Sequence, residues 1–345
     1  MSKANRATFL HPGFTERLAI SLAFLGLLAT APGVEALEIK KYPALRSFTA
    51  EMSKKHGFSA AHLRRVFRCA VLRPEIIEAM ERPRESLPWY EYRKIFVTED
   101  NAKRGVRFWK EHAEDIARAQ ADYGVAPEIV VAIIGVETRY GRSQGNYSIL
   151  DALTTLTLKY PSRSAFFREE LEEFLLLARE AGLNPCRVKG SYAGAMGLPQ
   201  FMPSSYRRLA IDFDGDGKRD LLDSPVDAIG SVAHYLHKYG WEKNAPTVEE
   251  ARLEGTRYFW VEKLGVKPAL SVRQLAEYGI FPRHRDDPER RAALIPLEGE
   301  YGPFYRLGFN NFYVITRYNL SSYYAMAVVE LGQMIRQGME EKSPS

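Results

Sequence analysis

Cysteine is scarce in this chain: Cys69 and Cys186 are the only two among 345 residues. Two thiols without metal-ligand spacing exclude a Cys-rich zinc site, and they are too few for a multi-disulfide scaffold. Two readings stay open, a single disulfide or two buried apolar side chains. After Ala31 no stretch is long and apolar enough to span a bilayer. The formal net charge of +5 comes without a dense Lys/Arg block, so a nucleic-acid partner is not expected. Low-complexity tracts and internal repeats are missing too. What remains is a globular chain long enough for two or three sub-domains. Its mildly basic surface suits an acidic polymer without requiring one.

The N-terminus is more specific. Lys3, Arg6 and Arg17 precede an apolar run from Leu18 to Ala31, and Val34-Glu35-Ala36 follows Pro32-Gly33. These are the charged, apolar and cleavage regions of a secretory signal, and the run is short for a membrane span. Residues 1–36 are therefore expected to be a signal peptide, with an uncleaved anchor as the alternative. No Cys follows the run, so neither lipidation nor a stable membrane anchor is expected.

Helical periodicity dominates up to about Glu250. Leu63, Val66, Phe67, Ala70 and Val71 share one face, and Pro74 to Met80 gives a short helix. Gly105 to Tyr123 reads as one long helix stopped by Gly124. Pro127 opens the next, which Gly141 is expected to close. Ile149–Lys159, Ser164–Ala181 and Pro225–Tyr239 follow. In the last, Ser224 as N-cap and Asp227 at the third position predict a capping box. Beyond Val266, Ala293–Leu297 and Phe304–Thr316 read as strands among Gly and Pro turns. Tyr323 to Ile335 returns to helix.

Glu137 ends an almost wholly apolar run, Val131-Ala-Ile-Ile-Gly-Val-Glu137. It shares a face with Ile133 and Ile134. Apolar surroundings raise a carboxyl pKa and keep its proton near neutral pH, which suits a general acid. The alternative is a helix-end Glu turned to water.

Asp212-Phe-Asp214-Gly-Asp216-Gly217-Lys218 continues to Asp223 with the spacing of an EF-hand calcium loop. Asp212, Asp214 and Asp216 offer hard oxygens, Lys218 its backbone carbonyl, and Gly217 the sharp turn. The last ligand is Asp223 at the twelfth position or Asp227 on the following helix. A structural Ca2+ is expected; the alternative is an acidic surface turn.

Gly190-Ser191-Tyr192-Ala193-Gly194-Ala195-Met196-Gly197-Leu-Pro-Gln200-Phe201 mixes small residues, hydrogen-bonding groups and apolar contacts. That suits an N-acetyl sugar, although tight helix packing explains small residues equally well. Among 19 Tyr, Tyr92, Tyr140, Tyr235 and Tyr313 are candidates for stacking on sugar rings; most tyrosines serve packing.

Together, Gly-Val-Glu137-Thr-Arg-Tyr-Gly, the Gly190–Tyr206 loop, the Asp212 loop with Asp227-Ala-Ile-Gly-Ser-Val-Ala-His-Tyr235, and Phe312-Tyr313-Val-Ile-Thr-Arg-Tyr318-Asn319 resemble the lytic murein transglycosylase B family. The likeness runs from about Leu37 to Gln337. It implies a mainly α (α+β) fold, with a lysozyme-like core, a flanking α domain and a small β domain. The implied boundaries are 37–115 for the α segment, 116–245 for the core with its calcium loop at 212–223, 246–316 for the β-rich part, and 317–345 for a returning C-terminal helix.

By the same resemblance Glu137 matches the catalytic glutamate. Tyr92, Ser191, Gln200, Tyr235 and Tyr313 match sugar-contacting positions, with Arg139 and Met196 completing the expected set. Asp212, Asp214, Asp216, Lys218 and Asp227 match the metal loop. The implied partner is the glycan strand of peptidoglycan in the periplasm, with cell-wall synthesis proteins as further associates. The implied reaction is non-hydrolytic cleavage leaving 1,6-anhydro ends. A hydrolase using Asp151 or another carboxylate as base and a non-catalytic wall-binding protein are the rivals. Two departures stand out. The spacer before Asp227 is one residue longer than the family pattern, and Leu307 stands where a sugar-site Tyr is expected.

Overall fold

The computed structural model describes residues 37–81 and 87–341; the expected signal segment lies outside them. The first helices are short and individually amphipathic. They are α1 (Pro43–His56), α2 (Ala60–Arg68), α3 (Pro74–Met80) and α4 (Trp89–Phe96). Capping fixes their starts. The Ser59 hydroxyl accepts the His62 N–H, and Pro43 and Pro74 occupy first turns, where a missing N–H does no harm.

The expected helix from Gly105 to Tyr123 is two helices, α5 (Glu99–Glu111) and α6 (Ala113–Tyr123). His112 leaves helical geometry at φ −121, ψ 34, and Glu114 and Asp115 fill the first turn of α6. No Gly or Pro marks this break, so periodicity alone ran across it.

Next comes α7 (Pro127–Thr138), the centre of the molecule. Ile129 through Val136 are all buried. Each such aliphatic side chain contributes about 1.5–3 kcal/mol on burial. A two-stranded ribbon of β1 (Tyr147–Ser148) and β2 (Lys189–Gly190) encloses α8 (Ile149–Lys159) and α9 (Ser164–Glu180). Then α10 (Pro203–Leu209) and α11 (Pro225–Lys238) flank the aspartate loop.

A disulfide joins Cys69, at the end of α2, to Cys186, just before β2. Their Cα atoms are 5.9 Å apart across a separation of 117 residues. The same junction is held by Asp151, whose two oxygens accept the Val71 N–H at 2.9 Å and the Arg73 guanidinium at 3.1 Å.

The remaining strands are β3 (Val248–Leu253), β4 (Leu270–Ser271), β5 (Ile280–Pro282), β6 (Arg291–Gly299) and β7 (Gly302–Gly308). They form one antiparallel sheet in the order β4-β6-β7-β3-β5. Two short helices, α12 (Phe259–Glu262) and α13 (Val272–Ala276), lie among them. Strand alternation buries both faces of β6. Ala292 and Leu294 join a small core with Val261, Leu275 and Leu307, while Ala293, Ile295 and Leu297 face the main core. Leu307 therefore sits inside the sheet's own core, fully buried.

The chain closes with α14 (Asn310–Tyr318) and α15 (Ser322–Glu340). The strand expected over Phe304–Thr316 ends at Gly308. Aromatic and β-branched residues favour strands, yet Asn311 pins the start of α14. Its amide oxygen accepts the Glu242 N–H at 2.8 Å, and its NH2 donates to Glu242 and Ala245 carbonyls.

Candidate active site

The last turn of α7 positions Glu137. The helix stops at Thr138, earlier than the expected stop at Gly141. Arg139 and Tyr140 both take left-handed conformations, at φ 51 and 60. The Thr138 hydroxyl holds this turn, donating to the Leu198 carbonyl at 2.9 Å and accepting the Gly141 N–H at 3.0 Å. Gly135 makes room for the fold-back, because a Cβ there would collide with the Tyr140 hydroxyl.

The Glu137 side chain is half-buried beside apolar surface. Tyr324, at the start of α15, donates its hydroxyl to Glu137 Oε1 at 2.6 Å. Burial pushes the Glu137 carboxyl up to about 7, against the opposing pull of that hydrogen bond. The buried hydroxyls of Tyr318 and Tyr324 are pushed well above the usual tyrosine range, first by burial and then by the neighbouring Glu137 carboxylate. Both remain neutral donors.

The Gly190–Phe201 loop is folded on itself. Ser191 N–H donates to the Ala195 carbonyl, and Ser191 Oγ accepts the Ala195 N–H at 3.0 Å. Met196 and Phe201 exchange both backbone bonds. Gly197, at φ 73, approaches Leu221 so closely that any Cβ would strike the Leu221 carbonyl. Gln200 sits at φ 49 and gives its NH2 to Gln144 and Gly197 carbonyls. Tyr318 Oη donates to the Pro199 carbonyl at 2.6 Å. Through Thr138 and Tyr318 the loop is tied both to the end of α7 and to the end of α14.

An aromatic wall leads towards the carboxylate. The Tyr318 ring lies 4.7 Å from Tyr235, 5.7 Å from Phe201 and 6.3 Å from Tyr324. The Tyr235 hydroxyl donates to the Arg317 carbonyl at 2.6 Å.

The other expected sugar contacts are distributed differently. Tyr92 is only 2% exposed, packed among Trp89, Phe96 and Tyr323, so its ring has no free face. Met196 is fully buried beneath the loop. Tyr313 lines a separate cleft with Lys267, Asp287 and Arg290. Arg139 is exposed next to Glu137. Tyr324, bonded to Glu137, and Tyr318, bonded to the Pro199 carbonyl, are the site neighbours that sequence reasoning missed. A cleft of about 750 Å3 between α4, α15 and the sheet excludes Glu137, and its walls are paired by Arg93–Glu330 and Arg283–Glu250.

In the aspartate loop, carboxylate oxygens of Asp212, Asp214 and Asp227 lie within 4.8 Å of one another. Asp227 is fully buried. Its Oδ1 accepts Phe213 and Asp214 N–H groups and its Oδ2 accepts Asp220 N–H. The expected capping box is thus only half formed: Ser224 Oγ accepts the Asp227 N–H at 3.2 Å, while the Asp227 carboxylate turns to the loop. Asp223 is exposed and stands outside the cluster. Asp216 is exposed as well, its Oδ1 accepting the Lys218 N–H. Three hard anionic oxygen donors around left-handed Gly215 and Gly217 fit Ca2+ chemistry. Burial, with Asp214 alongside, raises the Asp227 carboxyl above its usual range despite three backbone donors.

A helical core presenting a half-buried carboxylate of raised pKa beside a hydrogen-bonded polar loop, with a small sheet inserted before the final helices, defines a lysozyme-like enzyme. Over residues 40–333 the chain matches the Transglycosylase SLT domain family, and it belongs to that family. It is 43% identical to the membrane-bound lytic murein transglycosylase B of Escherichia coli K12 over 303 residues, 85% of this chain and 82% of that one. A catenated lytic transglycosylase from Pseudomonas aeruginosa superposes with a TM-score of 0.82 at 44% identity, covering 88% of this chain and all of that one. An Escherichia coli lytic transglycosylase solved in complex with calcium gives 0.81 at 42% identity, covering 89% and 97%.

Proposed function

We propose that this protein is an exported lytic transglycosylase that cleaves the β-1,4 bond between N-acetylmuramic acid and N-acetylglucosamine in peptidoglycan, leaving 1,6-anhydromuramyl ends. The observation that carries this reading is the setting of Glu137, which accepts a hydrogen bond from the Tyr324 hydroxyl at 2.6 Å and whose carboxyl burial raises to about 7.

Glycosidases ordinarily employ two carboxylates. Asp151, the rival base, has both oxygens committed to Val71 and Arg73. A single carboxyl suffices if the substrate supplies the rest. Protonated Glu137 gives its proton to the glycosidic oxygen as the bond to C1 breaks. The substrate's 2-acetamido oxygen stabilises the positive charge left at C1. Glu137, now a carboxylate, takes the proton of the muramyl C6 hydroxyl while that oxygen bonds to C1. The ring closes, no water is consumed, and Glu137 is again protonated. Tyr324 stabilises the carboxylate between the two steps by charge-assisted hydrogen bonding.

Ser191, Gln200 and Tyr318 are proposed to hold the sugars, with the buried Tyr235 backing the Tyr318 ring. Asp212, Asp214 and Asp227, with Asp216 and the Lys218 carbonyl, are proposed to hold a structural Ca2+ that neutralises the acidic cluster. The test is digestion of purified peptidoglycan by wild type and Glu137→Gln, with products identified by mass.

A further inference from the structure

We infer that the small sheet carries a second docking surface for peptidoglycan strands, centred on Trp260 and Phe259 and distinct from the Glu137 pocket. The inference rests on peptidoglycan being the substrate. Few large apolar side chains are exposed among the described residues, yet three of them fall within six positions: Phe259 at 49%, Trp260 at 67% and Leu264 at 52%. Val261, between them, is 2% exposed and plugs into the sheet's own core. That plug fixes α12 and leaves its neighbours pointing outward. Tyr258 reinforces it, packing 4.3 Å from Phe259 and 5.3 Å from Tyr305.

Two cations flank these rings without an ion-pair partner among the described residues, Arg257 and Lys263, whereas Arg252, Arg273 and Arg283 are paired with Glu254, Glu289 and Glu250. The cations lie over rings: Lys263 Nζ is 4.7 Å from the Trp260 ring, and the Arg257 guanidinium is 5.4 Å from Tyr278. The result is a ring-lined surface carrying two unpaired cations and interspersed acceptors.

A glycan strand bearing lactyl and peptide carboxylates complements each part. Sugar C–H faces stack on exposed rings, carboxylates meet Lys263 and Arg257, and sugar hydroxyls donate to Glu254 and Glu277. An anionic lipid surface fits less well. It repels those carboxylates and offers few donors in return, and a four-residue helix presents only two exposed apolar side chains.

The test uses the full chain carrying Glu137→Gln, so that sacculi stay intact, with and without Phe259→Ala plus Trp260→Ala. Co-sedimentation with purified sacculi is expected to weaken roughly tenfold, the usual loss for truncated aromatic anchors. Trp260→Tyr should stay close to the parent, and Lys263→Gln should reduce the salt dependence of binding. In the active background, the double variant should raise KM on sacculi and leave turnover of short soluble glycan chains unchanged. Unchanged sedimentation would overturn the inference. So would an equal loss on short chains, or ring-dependent binding to anionic vesicles without binding to sacculi. Persistent cleavage by Glu137→Gln would count against the catalytic assignment alone.

Discussion

The Tyr324 hydroxyl donates to Glu137 Oε1 across 187 residues of sequence, at 2.6 Å. This bond favours the charged carboxylate, whereas the surrounding apolar surface favours the protonated acid. Burial is the larger influence, and the balance holds the group near neutrality. That balance suits the proposed role, in which the residue gives up a proton and takes one back within a single turnover.

Removing that donor tests the balance. The proposed cleavage step uses protonated Glu137, so the rate is expected to fall as pH rises through about 7. Tyr324→Phe deletes an influence that lowers the carboxyl pKa, so the descending limb should move to higher pH. The turnover number should also drop, since the carboxylate formed after proton donation loses its stabilising hydroxyl. A rate–pH profile with an unshifted limb would remove Tyr324 from this role.

The same raised pKa links to stability. A carboxyl whose folded pKa exceeds its unfolded value favours the folded state below about 4.5, and that advantage is lost as pH rises through about 7. Glu137→Gln should abolish this loss. The variant is therefore expected to gain stability relative to wild type as pH rises through this window, by up to about 2–3 kcal/mol. Urea unfolding at pH 4 and pH 8 measures it; equal differences at both pH values contradict the burial argument.

Calcium binding is read from the melting temperature. Free Ca2+ at a hundredfold excess over its Kd should add about 2.7 kcal/mol of stability, and a chelator should remove it. Asp214→Asn should blunt this response while leaving the calcium-free protein near wild type, because its structural bonds are an exposed contact to Ser224 and a local turn. Asp227→Asn should lower stability with or without the ion, since that carboxylate also accepts three backbone N–H groups. An identical melt with and without Ca2+ would contradict the assignment.

The Cys69–Cys186 bridge closes a loop of more than a hundred residues. In the chain-entropy account such a crosslink contributes about 4–5 kcal/mol. Reduction, or a Cys69→Ser plus Cys186→Ser chain, should lower the unfolding midpoint in denaturant. Little loss is expected in peptidoglycan cleavage at low temperature, because Asp151 and its partners still hold the same junction.

Much of the fold was legible in the sequence because local signals agreed with the tertiary outcome. Pro127, the apolar run behind it and the Ser224 cap specify α7 and α11 by turn chemistry and periodicity. The aspartate loop was legible because most of its carboxylates are sequence neighbours, but the fold was needed to show that the Asp227 carboxylate turns into the loop. Tyr318 and Tyr324 were missed because they meet Glu137 only after α14 and α15 return to α7. A signal was present: a tyrosine in an apolar helix needs a partner for its hydroxyl. Tyr92 and Met196 carry the opposite lesson, since position along the chain said nothing of their burial.

The central claim is that Glu137 alone acts as acid and then as base. The most direct measurement is mass analysis of the fragments released from purified peptidoglycan by wild type and by Glu137→Gln. The account predicts wild-type fragments ending in an anhydro ring, lighter by one water than hydrolysed ends, and none from a variant that still folds and sediments with sacculi. Hydrolysed reducing ends, or near-normal release by Glu137→Gln, would contradict it.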